Sequence, residues 1–543
     1  MRRDSPGPDS RSSSCLIGVD VGTGSVRAGV FDLAGRMLGT AKHDITVYRG
    51  PGSVVEQSST EIWNAVCKSV KEAVRLAAIA PVQIAGIGFD ATCSLVVLGE
   101  GGRPLPVGPP DAPDRNIIVW MDHRAVEQAE RINAAGHDVL KFVGGTISPE
   151  METPKLLWLR EKRPDIFDAA WQFFDLADFL TWRATGDLSR SSCTVTCKWT
   201  YLAHEKRWDI SYFQAVGLGV LADEQFSRIG QIVQNPGTSL GSGLTHDAAR
   251  ELGLLTGTPV GAGMIDAHAG GIGTVGSNGN PESSLAYVFG TSSCTMTTTR
   301  SPVFVPGVWG PYFSAMVPHA WLNEGGQSVA GAAIDRLLLM HPASSDASRR
   351  AADEGMSLPE MLAARASQDG ARLSNAVLLA QGLHIVPDFL GNRAPLADPH
   401  ARAVIAGLDM STDEESLVAL YVAGICSIGY GLRQIIEAQS KAGAPTEQVV
   451  ISGGAGRLDL VRQILADATR KPVFATRAEE PVLLGAAILG GVAAGRFDNV
   501  EAAMKSMSHV RNTYHPVQGE LASLHEKRYV AFLRLQSLAK EIR

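Results

Sequence analysis

A strand, a tight glycine turn and a second strand occur twice in this chain, once near its beginning and once past its middle, and that recurrence limits the folds open to it. The first copy is Leu16-Ile-Gly-Val-Asp-Val-Gly-Thr-Gly-Ser-Val-Arg-Ala-Gly-Val-Phe-Asp32, with Val26, Ala28 and Val30 alternating after the turn. The second is Ser284-Leu-Ala-Tyr-Val-Phe-Gly-Thr-Ser-Ser-Cys-Thr-Met-Thr-Thr299. Gly22 and Gly24 let the backbone approach an anion and aim N–H groups at it, and Thr23 adds a hydroxyl. Asp20 stands at the lip, where it could hold a hydrated magnesium ion. Each turn leads into a strand and not a helix, which excludes a Walker P-loop and a dinucleotide fingerprint. Alone, either copy also reads as an ordinary hairpin. Two copies, one per half, point to duplicated α/β domains facing each other over a polyphosphate.

Length agrees, since 543 residues are too many for one core and suit two large domains with a cleft between them. A hydrophobic content of 45% with a net charge of −7 argues against broad binding of nucleic acid or acidic membranes and leaves small molecules as the expected partners. No apolar run reads as a membrane span; the most suspicious, 483–494, is short and rich in Gly and Ala, as in a closely packed core helix. The cysteines are scattered, and the one close pair, Cys193 and Cys197, lacks the second pair of a zinc site, so reduced thiols in a cytoplasmic protein are expected. Residues 1–14 read as a disordered polar tail without a signal-peptide core.

Along the chain, 59–78 carries apolar residues at helical spacing. The stretch 83–98 reads as a buried strand, a polar break and another strand, with Asp90, Thr92, Cys93 and Ser94 where the first strand ends. Such strand ends gather ligand groups in α/β proteins, although a capped turn explains them as well. Another polar cluster, Asp122, His123 and Arg124, follows a short apolar strand, and there Asp122 also reads as the cap of the helix beginning near Ala125. Helices are expected in 151–190, with Pro154 and Pro164 near their starts. By pattern alone Lys198 is solvated surface. At Asp266 a small-residue strand runs into a Gly- and Ala-rich helix, which leaves that carboxylate as either a cap or a general base held at a cleft. A third glycine element, Gln448-Val-Val-Ile-Ser-Gly-Gly-Ala-Gly-Arg457, precedes a helix and could admit an adenosine. The polar stretch 341–375 reads as an insertion or helical lid.

Taken in order and spacing, Asp20-Val-Gly-Thr-Gly24, Gly261-Ala-Gly-Met-Ile-Asp-Ala-His-Ala-Gly270, Phe289-Gly-Thr-Ser-Ser293, the Gly391-Asn-Arg-Ala-Pro395 stretch leading to Gly407-Leu408, and Gly453-Gly454 resemble the FGGY carbohydrate kinases over 15–496. The resemblance implies two ribonuclease-H-like domains of the actin-like ATPase fold, 15–277 and 278–543, with the catalytic cleft between them. It implies ATP and Mg2+ as cofactors and a homodimer as a reasonable assembly. By it, Asp266 corresponds to the catalytic base and Asp20 to the magnesium-side aspartate. Gly22, Thr23, Gly24, Gly290, Thr291 and Ser292 correspond to the two phosphate loops, and Gly453, Gly454 and Ala455 to the adenosine loop.

Within the family, Thr92-Cys-Ser-Leu-Val96 resembles the motif of D-ribulokinases, and the Gln-Met-His set of xylulose kinases is absent. The same resemblance puts Asp90, Ala91, Thr92, Cys93, Asp122, Lys198, Asp266 and Glu324 around the sugar. It implies transfer of phosphate to the C5 hydroxyl of D-ribulose, with L-ribulose, D-xylulose and ribitol as competing substrates. Asn392 stands where many relatives have Glu. A different class remains open at this point, because the same fold serves actin-like nucleotide switches.

Overall fold

The computed structural model describes residues 14–109, 112–278, 280–367, 372–380 and 382–543. The expected N-terminal tail, 1–14, lies outside these residues apart from Ser14. In the first half, β1 (Cys15–Val21), β2 (Ser25–Asp32) and β3 (Met37–Asp44) form an antiparallel meander. On the other side of β1, β4 (Ile84–Ala91) runs parallel to it and β5 (Met264–Ile265) parallel to β4, giving the order β5-β4-β1-β2-β3. The second half contains β6 (Ser284–Phe289), β7 (Ser293–Thr299), β8 (Trp309–Phe313), β9 (Trp321–Gln327), β10 (Gln448–Ser452), β11 (Val473–Thr476) and β12 (Val510–Tyr514). Their order is β8-β9-β7-β6-β10-β11-β12. Its central five strands repeat the first sheet, with β6 and β7 as the counterparts of β1 and β2. The duplication expected from the two Gly-Thr turns, and the ribonuclease-H-like topology that the family resemblance implies for each half, therefore both occur.

The helices follow from their apolar spacing. In α1 (Ser59–Leu76) the Ser58 hydroxyl accepts from the Glu61 N–H at 3.3 Å, and Ile62, Val66, Val70 and Val74 are buried against the first sheet. Two small-residue helices join the domains. The first, α2 (Asp266–Val275), leaves β5 and packs on β6 and β10 of the other sheet. The longest helix, α3 (Glu414–Ala442), and α4 (Asp459–Thr469) belong to the second domain's core, and α5 (Pro481–Ala493) returns to lie on β1 and β4 of the first sheet. Contact there is backbone to backbone: a Cβ on Gly18 would stand 1.9 Å from the Leu483 carbonyl oxygen. The Gly- and Ala-rich 483–494 stretch is thus a close-packed core helix, as its composition predicts.

Two further stretches take their place in the second domain's core. By length and composition α3 could span a membrane, yet 83% of its most apolar stretch is buried inside the protein, so its hydropathy serves the core. The described part of 341–375, expected as an insertion or helical lid, is largely helical. Within it Ser344–Asp353 and Leu358–Ala366 put Ala347, Ala351, Met361 and Leu362 into the second domain's core.

Candidate active site

Three aspartates meet at one end of the first sheet. Parallel pairing sets Asp20 opposite Asp90 and Asp90 opposite Met264, and Asp266 follows two residues after Met264 as the first residue of α2. Asp20, Asp90 and Asp266 therefore gather at the carboxyl ends of three neighbouring parallel strands, where such sheets bind ligands. Ile265, not Asp266, occupies the cap position, and a carboxylate oxygen of Asp266 accepts from the Ala267 N–H at 2.7 Å. Burial, reinforced by the charge of Asp20, pushes Asp266 up to about 6. Asp90 is fully buried with its carboxyl against that of Asp20, and burial together with its two acidic neighbours holds it well above the ordinary carboxylate range. The cation that acts on Asp20 and Asp90 is Arg27. Hairpin register puts it opposite Asp20, and its guanidinium binds both Asp20 and, at 2.6 Å, Glu480 of the second half.

Asp20 and Asp90 offer hard oxygen donors that a single guanidinium leaves undercompensated, which is the donor chemistry magnesium takes. Among the described residues no three or more His, Cys, Asp or Glu side chains close around one point. Magnesium itself takes one or two carboxylates and completes its shell with water and phosphate.

The first phosphate loop begins two residues after Asp20. A Cβ on Gly24 would touch nothing within 4 Å, so this turn borders open space. The Thr23 hydroxyl accepts from Trp120 Nε1 at 3.0 Å and keeps its own proton to donate, while the Thr23 carbonyl is tied to Gln57 at 2.7 Å. In the second loop the carbonyls of Gly290 and Thr291 accept from Gly331 and Ala332 at 2.9 and 3.1 Å, and Thr291 itself is exposed. Gly453 has φ +93°, and a Cβ on it would meet the Phe289 carbonyl oxygen at 2.4 Å, so only glycine lets the third loop rest on the end of β6. Gly454 next to it faces open space, and Ala455 is partly buried against the second core. A cleft of about 760 Å3 runs from this loop past Arg457 and Arg477 to Arg27 and Glu480.

His268 and Lys198 lie close enough to Asp266 for their charge to act on it, and Cys93 and Glu324 act in turn on Lys198. Ala91 is the buried last residue of β4, Thr92 is bonded to the end of β1 through its N–H, and its hydroxyl meets Ser94 at 3.1 Å. Lys198 is partly buried at the end of a short helix, not on open surface. Burial disfavours its charge, but Cys93 and Glu324 outweigh that and hold it well above the usual lysine range. Burial also opposes charge on Glu324, yet His268, Lys198 and Arg393 bring it down to about 2, so it is ionised. Its oxygen lies 3.4 Å from His268 Nε2.

Asp122 is a correction. It is fully buried, and its carboxylate accepts from the Val55 N–H at 2.7 Å, the Arg124 N–H at 2.8 Å and the Arg124 guanidinium at 2.7 Å, while Arg124 also binds Glu56 at 2.8 Å. Those donors saturate it, so it braces the wall of the domain and leaves no oxygen for a sugar. Nor does it cap the next helix, which begins at Val126 after Ala125. Sequence reasoning passed over Arg27, although counting the hairpin register back from the Gly-Thr-Gly turn finds it. It also gave no role to Cys193, whose sulfur lies 3.1 Å from His268 Nδ1.

Comparison with known proteins agrees with this geometry. The chain matches the N-terminal domain of the FGGY family of carbohydrate kinases over 15–273 and the C-terminal domain over 285–494. It is 45% identical over 547 residues to the FGGY carbohydrate kinase domain-containing protein of Homo sapiens, covering 98% of both chains. It is 38% identical over 526 residues to a D-ribulokinase of Saccharomyces cerevisiae, covering 90% of this chain and 73% of that one. Xylulose kinase from Rhodospirillum rubrum superposes with a TM-score of 0.80 at 19% identity, covering 97% of this chain and 99% of that one, a likeness of fold. With both domain models matched in order and relatives aligned along nearly its whole length, this chain belongs to the FGGY family of carbohydrate kinases.

Proposed function

We propose that the protein transfers the γ-phosphoryl group of ATP to the C5 hydroxyl of D-ribulose, giving the 5-phosphate and ADP. The observation that carries this reading is the position of Asp266, a carboxylate at the head of α2 beside Asp20, whose strand leads into the first phosphate loop, and close enough to His268 and Lys198 to feel their charge. The choice of sugar is supported by the D-ribulokinase relative and by the resemblance of Thr92-Cys-Ser-Leu-Val96 to that group's motif.

Asp266 accepts the C5 hydroxyl proton as the oxygen attacks phosphorus. Lys198 and Glu324 hold the other hydroxyls, one as donor and one as acceptor. Backbone N–H groups of the Gly22 and Gly290 loops are available to the phosphate oxygens. Because the transition state of phosphoryl transfer is loose, most of the rate comes from alignment and charge stabilisation. Asp20, with Asp90, would hold magnesium, which when bound neutralises charge on the phosphates. Closure of the two domains about α2 and α5 would align hydroxyl with phosphate and exclude water as a competing acceptor. A cytoplasmic setting goes with this reading, since scattered cysteines without the pattern of a disulfide framework are kept reduced there.

The test is ADP release with Mg-ATP over D-ribulose, L-ribulose, D-xylulose, ribitol and glycerol. D-ribulose is expected to give the highest kcat/KM, with weak turnover when no sugar is present. A clear preference for another sugar overturns the substrate, and turnover that no sugar raises overturns the transfer itself.

A further inference from the structure

Three side chains far apart in sequence line up behind the sugar side of the cleft. The Cys193 sulfur lies 3.1 Å from His268 Nδ1, and His268 Nε2 lies 3.4 Å from the Glu324 carboxylate. The Ile265 N–H donates to the same sulfur at 3.4 Å. Cys193 and His268 are 0% and 1% exposed, so water does not stand in for these partners. An ionised Glu324 only accepts, and His268 must therefore present its Nε2 proton to it. Nδ1 is left facing the sulfur. Whether Cys193 gives its S–H to Nδ1 or stands as a thiolate receiving Nδ1–H, the Nε2 proton stays on the Glu324 side. Ile265 immediately precedes Asp266 and caps α2, so the same sulfur also ties down the turn on which Asp266 stands.

We propose that Cys193 is a positioning residue of the sugar site: through His268 it orients Glu324, and through the Ile265 N–H it fixes the turn that carries Asp266. The role rests on the kinase reading above. Cys193 touches no reacting atom in that reading, so its contribution is to the geometry of groups that do. Its nearest counterpart is the partner that fixes the ring of a ligand-binding histidine in other sites, where removal costs tenfold or more.

The experiment compares Cys193→Ala and Cys193→Ser with the wild type for sugar KM, ATP KM, kcat and thermal midpoint. Alanine is expected to raise the sugar KM about tenfold and to lower kcat while the ATP KM stays unchanged. Serine, which can bond Nδ1 and accept from Ile265, is expected to recover most of the loss. In a Glu324→Gln background, Cys193→Ala should add no further rise in sugar KM. Unchanged kinetics in Cys193→Ala, an equal rise in both KM values, or a rise that adds in full to that of Glu324→Gln would overturn the proposal.

Nitrogen NMR of the His268 ring reads the arrangement without turnover and covers a poorly folding alanine variant through the serine one. A held Nε2–H in wild type and Cys193→Ser supports the role, and a mobile or Nδ1-protonated neutral ring in wild type overturns it. A wild type that phosphorylates no sugar removes the kinase reading instead, and the ring signal still reports whether Cys193 holds His268.

Discussion

Gly485 and Ala269 meet backbone to backbone where α5 crosses α2: a Cβ on Gly485 would stand 1.9 Å from the Ala269 carbonyl oxygen. Each helix packs on the sheet of the other half, so this crossing is where the domains are joined. A main-chain oxygen cannot swing aside as a side chain can. Gly485→Ala must push the helices apart and is expected to lower stability by about 1–3 kcal/mol, as overpacking does, read by chemical denaturation. Gly454→Ala is the control. Nothing lies within 4 Å of a Cβ there, so its stability should hold within about 0.5 kcal/mol. Because that Cβ would enter the cleft, the ATP KM should rise instead.

Asp266→Asn keeps the size of the side chain and removes the proton acceptor. Its kcat with the preferred sugar is expected to fall by about 10²–10⁴-fold, the usual contribution of a general base. Binding of Mg-ATP measured by calorimetry should be nearly unchanged, since the loops that face the cleft do not use this carboxylate. Retained turnover would remove Asp266 from the role.

Magnesium held at Asp20, as proposed above, would compete with Arg27 for that carboxylate. With its guanidinium on Asp20 and Glu480, Arg27 supplies the positive charge that magnesium would otherwise bring. Arg27→Gln should therefore lower the magnesium concentration needed for half-maximal activity, and Asp20→Asn should raise it about tenfold. A magnesium titration of ADP release separates the two directions. Shifts of the same sign in both variants would mean that Arg27 acts on the nucleotide and not on the carboxylate.

Much of the fold could be read from period-2 alternation around Gly-Thr turns, because a hairpin's local chemistry fixes its own geometry. The approach of Asp20, Asp90 and Asp266 lay one step further, in the register between strands, yet Asp90 and Asp266 each stood visibly where an apolar strand ended. Asp122 misled because a charged residue after a strand looks the same whether it faces a ligand or is spent on a backbone N–H from Val55 and on the guanidinium of Arg124. That Ala347 and Ala351 of the 341–375 stretch are core was not legible in composition, because alanines bury little surface each and register weakly as core. Cys193 and His268 are 75 positions apart, and no periodicity links them.

His525 gives the second domain a pH-dependent stability whose sign can be worked out. It is 1% exposed, its Nδ1 meets the Tyr430 hydroxyl at 2.9 Å, and burial, followed by Arg528 and Arg433, pushes it down to about 4. An unfolded histidine titrates near about 6.5. Between those values the unfolded chain takes up a proton that the folded chain refuses, so this residue's contribution is full above pH 6.5, declines as pH falls towards 4, and is constant below it. The difference amounts to about 3 kcal/mol. Raw stability curves mix this with an opposite slope, because Glu152, raised to about 7, and Asp178, raised to about 6, stabilise the folded state as pH falls through the same range. Comparing wild type with His525→Gln cancels those carboxylates. Whatever its stability at pH 7, the variant is expected to gain on the wild type by about 3 kcal/mol between pH 7 and pH 4 in denaturant titrations. A gap that does not change with pH would mean that His525 carries its proton inside the fold.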